Sequence, residues 1–287
     1  CCGRCEWSIS YLGAVPKQGI IDFRPFFRIG GAITFGSGRL RIYRSNYISL
    51  SRIHIGKQGV GMSIKRSVNI ACPGCGTTQD ITLVEVLNAQ TDPDLKEDLM
   101  HNRLNRVSCS DCDIDFRVDL PLLYTDAKAG LMIHWVPEND DANREQILEE
   151  FDEVIERMNA EAGEEVSVPN VRLVMNRVEL VELIYMIEAG MNQRVVEYVK
   201  YSIYTRNQEK LDPERHRMLL NVEDSTDDEL LFVMQDVDDR ELGQVLRYGR
   251  SAYESLLELF ADEPEEFMEM FPGPCISARD VLLEDRA

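Results

Sequence analysis

The sequence of 287 residues predicts an α+β protein with a small β-rich domain followed by a more helical α+β domain. Two Cys-x-x-Cys pairs set in alternating apolar patterns indicate the first domain. Successive apolar stripes, mostly of helical period, indicate the second. An abrupt change of charge marks a boundary upstream of both. From these observations we predict three regions, which are residues 1–61, 62–137 and 138–287.

Residues 1–61 differ from the rest of the chain in charge. They contain nine Lys or Arg and two Asp or Glu, a net charge of +7, whereas the other 226 residues carry −27. Because they show no sustained period, we expect a disordered or non-native extension, with Met62 as the natural start. Cys2 and Cys5 form a further Cys-x-x-Cys, but one pair supplies only half of the ligands of a metal site.

The two central cysteine pairs are Cys72/Cys75 and Cys109/Cys112, separated by residues 76–108. Four thiolates on two tight turns can complete the tetrahedral shell of one structural zinc ion. A disulfide or redox pair, or four unrelated cysteines, are the alternatives. The gap exceeds that of a compact zinc ribbon, so we expect a folded insert between the pairs. The sequence therefore predicts a zinc-ribbon-like β domain with a helical insert.

The residues around the pairs indicate the local structure. Pro73 restricts the first turn, and Gly74 and Gly76 allow positive backbone dihedral angles there. Asp92 and Pro93 predict the start of a short helix in the insert, as N-cap and first helical residue. Alternating apolar residues predict four strands, at Val68 and Ile70, at Ile81, Leu83 and Val84, at Ile114, Phe116 and Val118, and at Leu131, Ile133 and Trp135.

Three segments together resemble the CpXC domain family: Cys-Pro-Gly-Cys-Gly at residues 72–76, Cys-Ser-Asp-Cys at 109–112 and Pro-Leu-Leu-Tyr-Thr-Asp at 121–126. The clear resemblance covers residues 68–137. It implies a bacterial zinc-ribbon-like domain and supports the zinc site, but it implies no reaction. The second pair departs from the family pattern because it lacks a proline, which we expect to loosen the second turn.

Residues 138–143 are a polar, acidic linker that precedes the second domain. Apolar stripes and capping residues predict helices over about 142–161, 177–190, 193–204 and 239–260. Alternating or continuous apolar runs predict strands at 171–175, 218–222 and 230–234. Beyond Pro264 we expect a Pro/Gly tail of declining order that contains Cys275.

The other polar candidates form no recognisable catalytic arrangement. His101 lies in the insert, but four thiolates already complete the metal site, so we expect a surface residue. Tyr124 and Asp126 could contact a partner; we expect instead that Tyr124 packs over the metal turn and Asp126 closes a turn. The acidic cluster 236–241 lacks the spacing and glycine of a calcium-binding EF-hand, so we expect a solvated helix start.

Composition and charge exclude several classes of function. A body with a net charge of −27 repels phosphate backbones, which disfavours nucleic-acid binding. No apolar run approaches the roughly twenty residues of a transmembrane helix, and we expect no signal peptide. Cysteines in pairs favour the reducing cytoplasm. We therefore expect a zinc-held ribbon that binds a protein partner; the alternative is an enzyme with an unidentified active site in residues 138–287.

Overall fold

The computed structural model describes residues 61–137, 144–162 and 170–286. The predicted N-terminal extension up to residue 60, with Cys2 and Cys5, and the predicted linker 138–143 lie outside the described residues. Contacts divide the chain between Leu180 and Val181 into two units, which we describe separately. Both units contain helices and strands, which confirms the predicted α+β class.

The unit that ends at Leu180 contains a five-stranded sheet in the order β1-β2-β5-β6-β7 and a separate hairpin of β3 and β4. Its strands are β1 (Ile64–Ala71), β2 (Thr78–Asn88), β3 (Arg106–Ser108), β4 (Asp115–Arg117), β5 (Leu122–Asp126), β6 (Leu131–Trp135) and β7 (Asn170–Val174). Its helices are α1 (Pro93–Met100) and α2 (Arg144–Ala162). The four strands and the insert helix predicted around the cysteine pairs are confirmed.

Pairing within the sheet alternates in direction. β1 and β2 are antiparallel, β2 and β5 parallel, β5 and β6 antiparallel, and β6 and β7 parallel. Burial is concentrated in β5, β6 and the last six residues of β2, whereas the first five residues of β2 are exposed or half-buried. The core of this unit therefore lies away from the end of β2 that adjoins the first cysteine pair.

The unit that begins at Val181 contains a three-stranded antiparallel sheet in the order β10-β9-β8. Its strands are β8 (His216–Asn221), β9 (Glu229–Asp236) and β10 (Leu242–Gly249). The helices are α3 (Arg177–Glu188), whose first turn belongs to the preceding unit, α4 (Gln193–Arg206), α5 (Arg250–Asp262), α6 (Pro264–Met270) and α7 (Ala278–Glu284). The predicted helices near 177 and 193 and the two predicted strands are confirmed.

The predicted helix over 239–260 is wrong in its first half. That half is strand β10, which pairs with β9, and only the second half is helix α5. Val245 and Leu246 fit a helical stripe, but they equally fit a half-buried edge strand. Gly243 and Gly249 weaken a helix by about 1 kcal/mol each, and they are the sequence signal against a helix in this half.

The predicted C-terminal tail is also wrong. Residues 264–270 and 278–284 form the short helices α6 and α7 instead of a Pro/Gly tail of declining order. Phe267 and Phe271 are completely buried, and Phe271 forms a core cluster with Ile276 and Ala278. Single apolar residues between prolines and glycines anchor this segment, although they form no periodic run from which it could be predicted.

The division of the chain by contacts differs from the predicted boundary near residue 137. Strand β7, which the sequence placed in the second domain, pairs with β6 over five residues in the sheet of the first.

Across the described ranges, no helix is both long and apolar enough to cross a bilayer.

Candidate metal centre

Each cysteine pair lies in the turn of a β-hairpin. Cys72 directly follows β1, and the turn through Cys75 leads into β2. Cys109 directly follows β3, and the turn through Cys112 leads into β4. The hairpin pairings Ala71↔Thr78 and Ser108↔Asp115 close the two turns. Strand pairing therefore sets the positions of all four sulfur atoms.

The two turns share one hydrogen-bond pattern. In each, the carbonyl of the first cysteine accepts from the N–H four residues later, at 2.9 Å after Cys72 and 3.2 Å after Cys109. The sulfur of that cysteine accepts from the N–H two residues later, at 3.3 Å and 3.4 Å. The second turn makes both bonds without a proline, each slightly longer than in the first turn, and the loosening expected there stays a prediction.

Two glycines of the first turn have different roles. Gly76 has a φ of +77°, as its position in the sequence predicted, and Asp113 takes the equivalent place in the second turn with a φ of +55°. Gly74, in contrast, has no positive φ; a Cβ there would lie 2.3 Å from Cδ1 of Ile114. The expectation for Gly74 was therefore wrong: its backbone needs no positive φ, and a Cβ there would displace only the end of the Ile114 side chain.

The hairpins bring the four sulfur atoms together. All four lie within 4.8 Å of one another, and the Sγ–Sγ distances are 3.7 Å for Cys72–Cys112 and 3.6 Å for Cys75–Cys109. Four sulfurs at about 2.3 Å from a central zinc ion would stand about 3.8 Å apart. A disulfide requires about 2.05 Å, and the four cysteines are free. The cluster thus fits a tetrahedral metal ion.

Two thiols of the cluster have pKa values that are shifted in opposite directions. The backbone N–H of Cys75, followed by that of Gly74, lowers the pKa of Cys72 to about 6 against the effect of burial. The N–H of Ile114 lowers the pKa of Cys112, but burial and the neighbouring cysteine sulfurs outweigh it and raise this pKa to about 12. Neighbouring sulfurs therefore oppose full ionisation, and a bound cation would favour the four-thiolate state.

Side-chain amides join the two hairpins, and the sequence analysis missed them. Gln79 of β2 donates to the carbonyl of Ser108 at 3.2 Å and accepts from the N–H of Ser110 at 3.0 Å. Asn105 accepts from the N–H of Val84 at 2.8 Å and donates to its carbonyl at 3.0 Å. Both amides place the second cysteine pair opposite the first. An amide beside a strand is too common to reveal this role from sequence.

Tyr124 and Asp126 do not belong to the cysteine cluster. Tyr124 is buried in β5 opposite Leu87, nine residues along β2 from Thr78, which is about 30 Å of strand. The expectation that Tyr124 packs over the metal turn is therefore wrong. Asp126 accepts from the N–H of Ala129 at 3.0 Å and closes the β5–β6 turn, as predicted.

None of the histidines in the described part of the chain belongs to the cysteine cluster. His101 is exposed at the end of α1, as predicted, with Nδ1 2.9 Å from the Glu97 carbonyl. His134 stacks on Phe151, and burial lowers its pKa to about 4. His216 accepts on Nδ1 from the N–H of Asp212.

The acidic cluster 236–241 forms the turn between β9 and β10. The backbone N–H groups of Asp238 and Asp239 donate to Oδ1 of Asp236, at 2.9 Å and 3.3 Å. The predicted solvated helix start is wrong here, because the carboxylates cap a hairpin turn in which Arg240 has a φ of +61°.

Comparison with known families adds one finding. A family model described as CpXC protein matches residues 70–200, which include all four cysteines. The match extends past the predicted range of 68–137 through β7 and α3 and ends in α4. No curated protein and no solved structure matches the chain significantly. Residues 70–200 therefore match the CpXC family model, which confirms the resemblance seen in the two cysteine pairs.

Proposed function

We propose that the chain is a zinc-binding protein in which Cys72, Cys75, Cys109 and Cys112 hold one structural zinc ion. The observation that carries this proposal is the cluster of four sulfurs within 4.8 Å of one another. Thiolates are the ligands that structural zinc sites prefer. Four of them complete a tetrahedron, so the ion would have no open position for water or substrate, and it would serve to join the two hairpins.

The ribbon would then act as a protein-binding module of unknown partner. The closed metal site supports this, because four cysteine ligands would leave the ion no open position for a reaction. The tip of the second hairpin also exposes the apolar side chain of Ile114, at 36 %. We place the protein in a reducing compartment, the cytoplasm, because four free thiols are needed to bind the ion. Nucleic acid and membrane are not among the partners proposed.

An enzyme with its site beyond residue 138 is the alternative that the sequence left open. Burial raises the pKa of Glu182 to about 7, although the charge of Lys200 opposes this. A perturbed carboxylate can mark an active site. Here the side chain is 5 % exposed, and its oxygen is taken up by Lys200 and by the Leu220 N–H. This environment is that of a structural ion pair, and we keep the binding role.

Metal analysis of the purified full chain tests the proposal. We expect one zinc per chain, and we expect Cys109→Ser to lose it. Cys275→Ser is the matched control and should retain one zinc, because Cys275 lies outside the cluster. Full zinc at wild-type affinity in Cys109→Ser would refute the four-thiolate site, and tight binding of iron in preference to zinc would refute the choice of metal.

A further inference from the structure

Two buried hydrogen-bond donors lie side by side where β6 ends and α3 begins. Arg177 is 7 % exposed and Trp135 is 3 % exposed. The guanidinium carbon of Arg177 stands 5.5 Å from the centre of the Trp135 ring. Neither Nε of Arg177 nor Nε1 of Trp135 has a hydrogen-bond acceptor among the described residues. Buried N–H groups are nearly always paired, so an acceptor is expected for these two.

Apart from the face of the Trp135 ring, the charge of Arg177 has little compensation. Its Nη2 donates to the carbonyl of Leu99 at 3.2 Å, which is a neutral acceptor. Within the described ranges, no carboxylate forms a salt bridge with it. Burial, followed by the positive charge of Arg117, lowers the pKa of Arg177 to about 10, although Asp119 opposes this. A buried guanidinium in this state favours the approach of an anion.

The position in the fold supports an anion rather than a neutral acceptor. β6 and β7 are parallel, and Trp135 pairs with Val174, so the carboxyl ends of both strands lie at one edge. In open α/β sheets, ligands bind outside the carboxyl ends of parallel strands, and β6 and β7 provide such an edge locally. Arg177 is also the first residue of the twelve-residue helix α3, and the N-terminus of a helix attracts negative charge.

We propose that Arg177 and Trp135 form a binding site for a small oxyanion, the carboxylate or phosphate group of a small molecule. Nε of Arg177 and Nε1 of Trp135 would each donate to one oxygen. A guanidinium and an indole N–H supply donors only, so a group with several acceptor oxygens matches both. This site lies in the CpXC region and is independent of the metal centre.

Intrinsic fluorescence provides a direct test, because the chain has two tryptophans and Trp135 belongs to the site. In a Trp7→Phe background, the full chain is titrated with potassium phosphate and, separately, with potassium acetate. Potassium chloride at equal ionic strength is the reference. We expect a saturable change of Trp135 emission with phosphate or acetate, and none with chloride. The anion with the lower Kd identifies the class of ligand.

Variants test the role of the guanidinium. Arg177→Lys keeps the charge but loses the Nε donor, and we expect the affinity for the anion to fall at least tenfold. Arg103→Lys is the matched control, because Arg103 is 48 % exposed and pairs with Asp98, and it should bind like the parent. Circular dichroism and metal content verify that each variant is folded.

Three outcomes would overturn the proposal. An unchanged emission with both oxyanions would mean that water satisfies the two donors. A response to chloride of the same size would show a general salt effect. If folded Arg177→Lys bound the anion as tightly as the parent, Nε of Arg177 would not be a donor to the anion. The Trp7→Phe protein alone decides whether an anion binds at Trp135, so the test stands even if Arg177→Lys fails to fold.

Discussion

The cysteine-bearing hairpins and the unit that begins at Val181 are held together in different ways. None of the six residues in β3 and β4 is buried. In α4, by contrast, eight of fourteen residues are buried. The short hairpin cannot exclude enough water to stabilise itself, whereas the helix can. In the function proposed here, a cross-link of sulfur and metal replaces a core where the chain is too short to build one.

The unit that begins at Val181 contains a buried cluster of charged side chains, which we call the charged centre. Lys200 lies 2.7 Å from an oxygen of Glu182 and 2.7 Å from one of Glu197. Glu182 also accepts from the N–H of Leu220, and Glu197 from that of Ala278. One ammonium thus joins α3, α4, β8 and the start of α7. The charged centre consists of side chains and can be removed only by mutation. A metal ion, in contrast, can be removed by a chelator.

Removal of the metal should produce the largest effect. Structural zinc contributes about 10 to 16 kcal/mol in small finger peptides, more than the hairpins can supply from burial. After treatment with a chelator, we expect amide hydrogen exchange to accelerate over residues 72–77 and 106–117. Residues 193–206 should keep their protection. Equal loss of protection in both regions would show that the two depend on one centre and would end the comparison.

Breaking the charged centre should produce the next largest effect. Lys200→Met leaves two buried carboxylates without their cation, and removal of one partner from such a pair costs about 3 to 5 kcal/mol. Urea unfolding with hydrogen exchange in α4 measures this loss. Lys210→Met, at an exposed lysine, is the control and should change little. The zinc content of Lys200→Met should stay at one per chain, since a loss would couple the two centres.

Titration of Glu182 provides a smaller test of the same centre. Burial raises its pKa from 4.5 in the unfolded chain to about 7 in the fold, so the folded state binds the proton more tightly. The stabilisation that Glu182 contributes to the folded state is therefore largest below about pH 4.5. It is lost as the pH rises through about 7.

The variant Glu182→Gln isolates that contribution. The amide oxygen can still accept from Lys200 and Leu220, while the titrating proton is removed. We expect the pH dependence of urea unfolding to become flatter between pH 4.5 and 7 than in the parent. Glu209→Gln, at an exposed carboxyl group, is the control. An identical pH profile in parent and Glu182→Gln would place the titration elsewhere.

The cluster of four cysteines could be predicted because its information is local in sequence. A Cys-x-x-Cys pair specifies both its turn and its ligands, and alternation around it specifies the strands. The contacts of Gln79 and Asn105 could not be predicted, because they connect residues 21 to 31 positions apart. A single amide carries no periodic signal, and its partner is a backbone group that every residue has.

The second unit shows where periodicity is insufficient. Spacing at 3.6 residues correctly predicted α3 and α4, which are buried on a broad face. It failed in β10, because a short edge strand with few buried residues has no clear period of its own. It also failed near Phe267 and Phe271, which are anchored by distant contacts. The orphan donors of Arg177 and Trp135 likewise require three-dimensional proximity to be recognised.

The last and smallest expected effect concerns the side chain that positions the second hairpin. Asn105 pairs with both backbone groups of Val84 and has a φ of +58°. Asn105→Ala leaves those groups unpaired, at a cost of about 1 to 3 kcal/mol, and strains the backbone by about 1 to 2 kcal/mol. We expect part of this cost to appear in metal binding, so that zinc affinity falls by one to two orders of magnitude, measured by competition with a chromophoric chelator.

Asn105→Gly separates the two causes, because glycine accepts the positive φ without strain but lacks the amide. Its zinc affinity should lie between those of the parent and Asn105→Ala. If both variants bound zinc like the parent, the amide would contribute nothing to the position of Cys109 and Cys112. The metal alone would then hold the hairpin, and the contrast between the two regions would be sharper than the structure indicates.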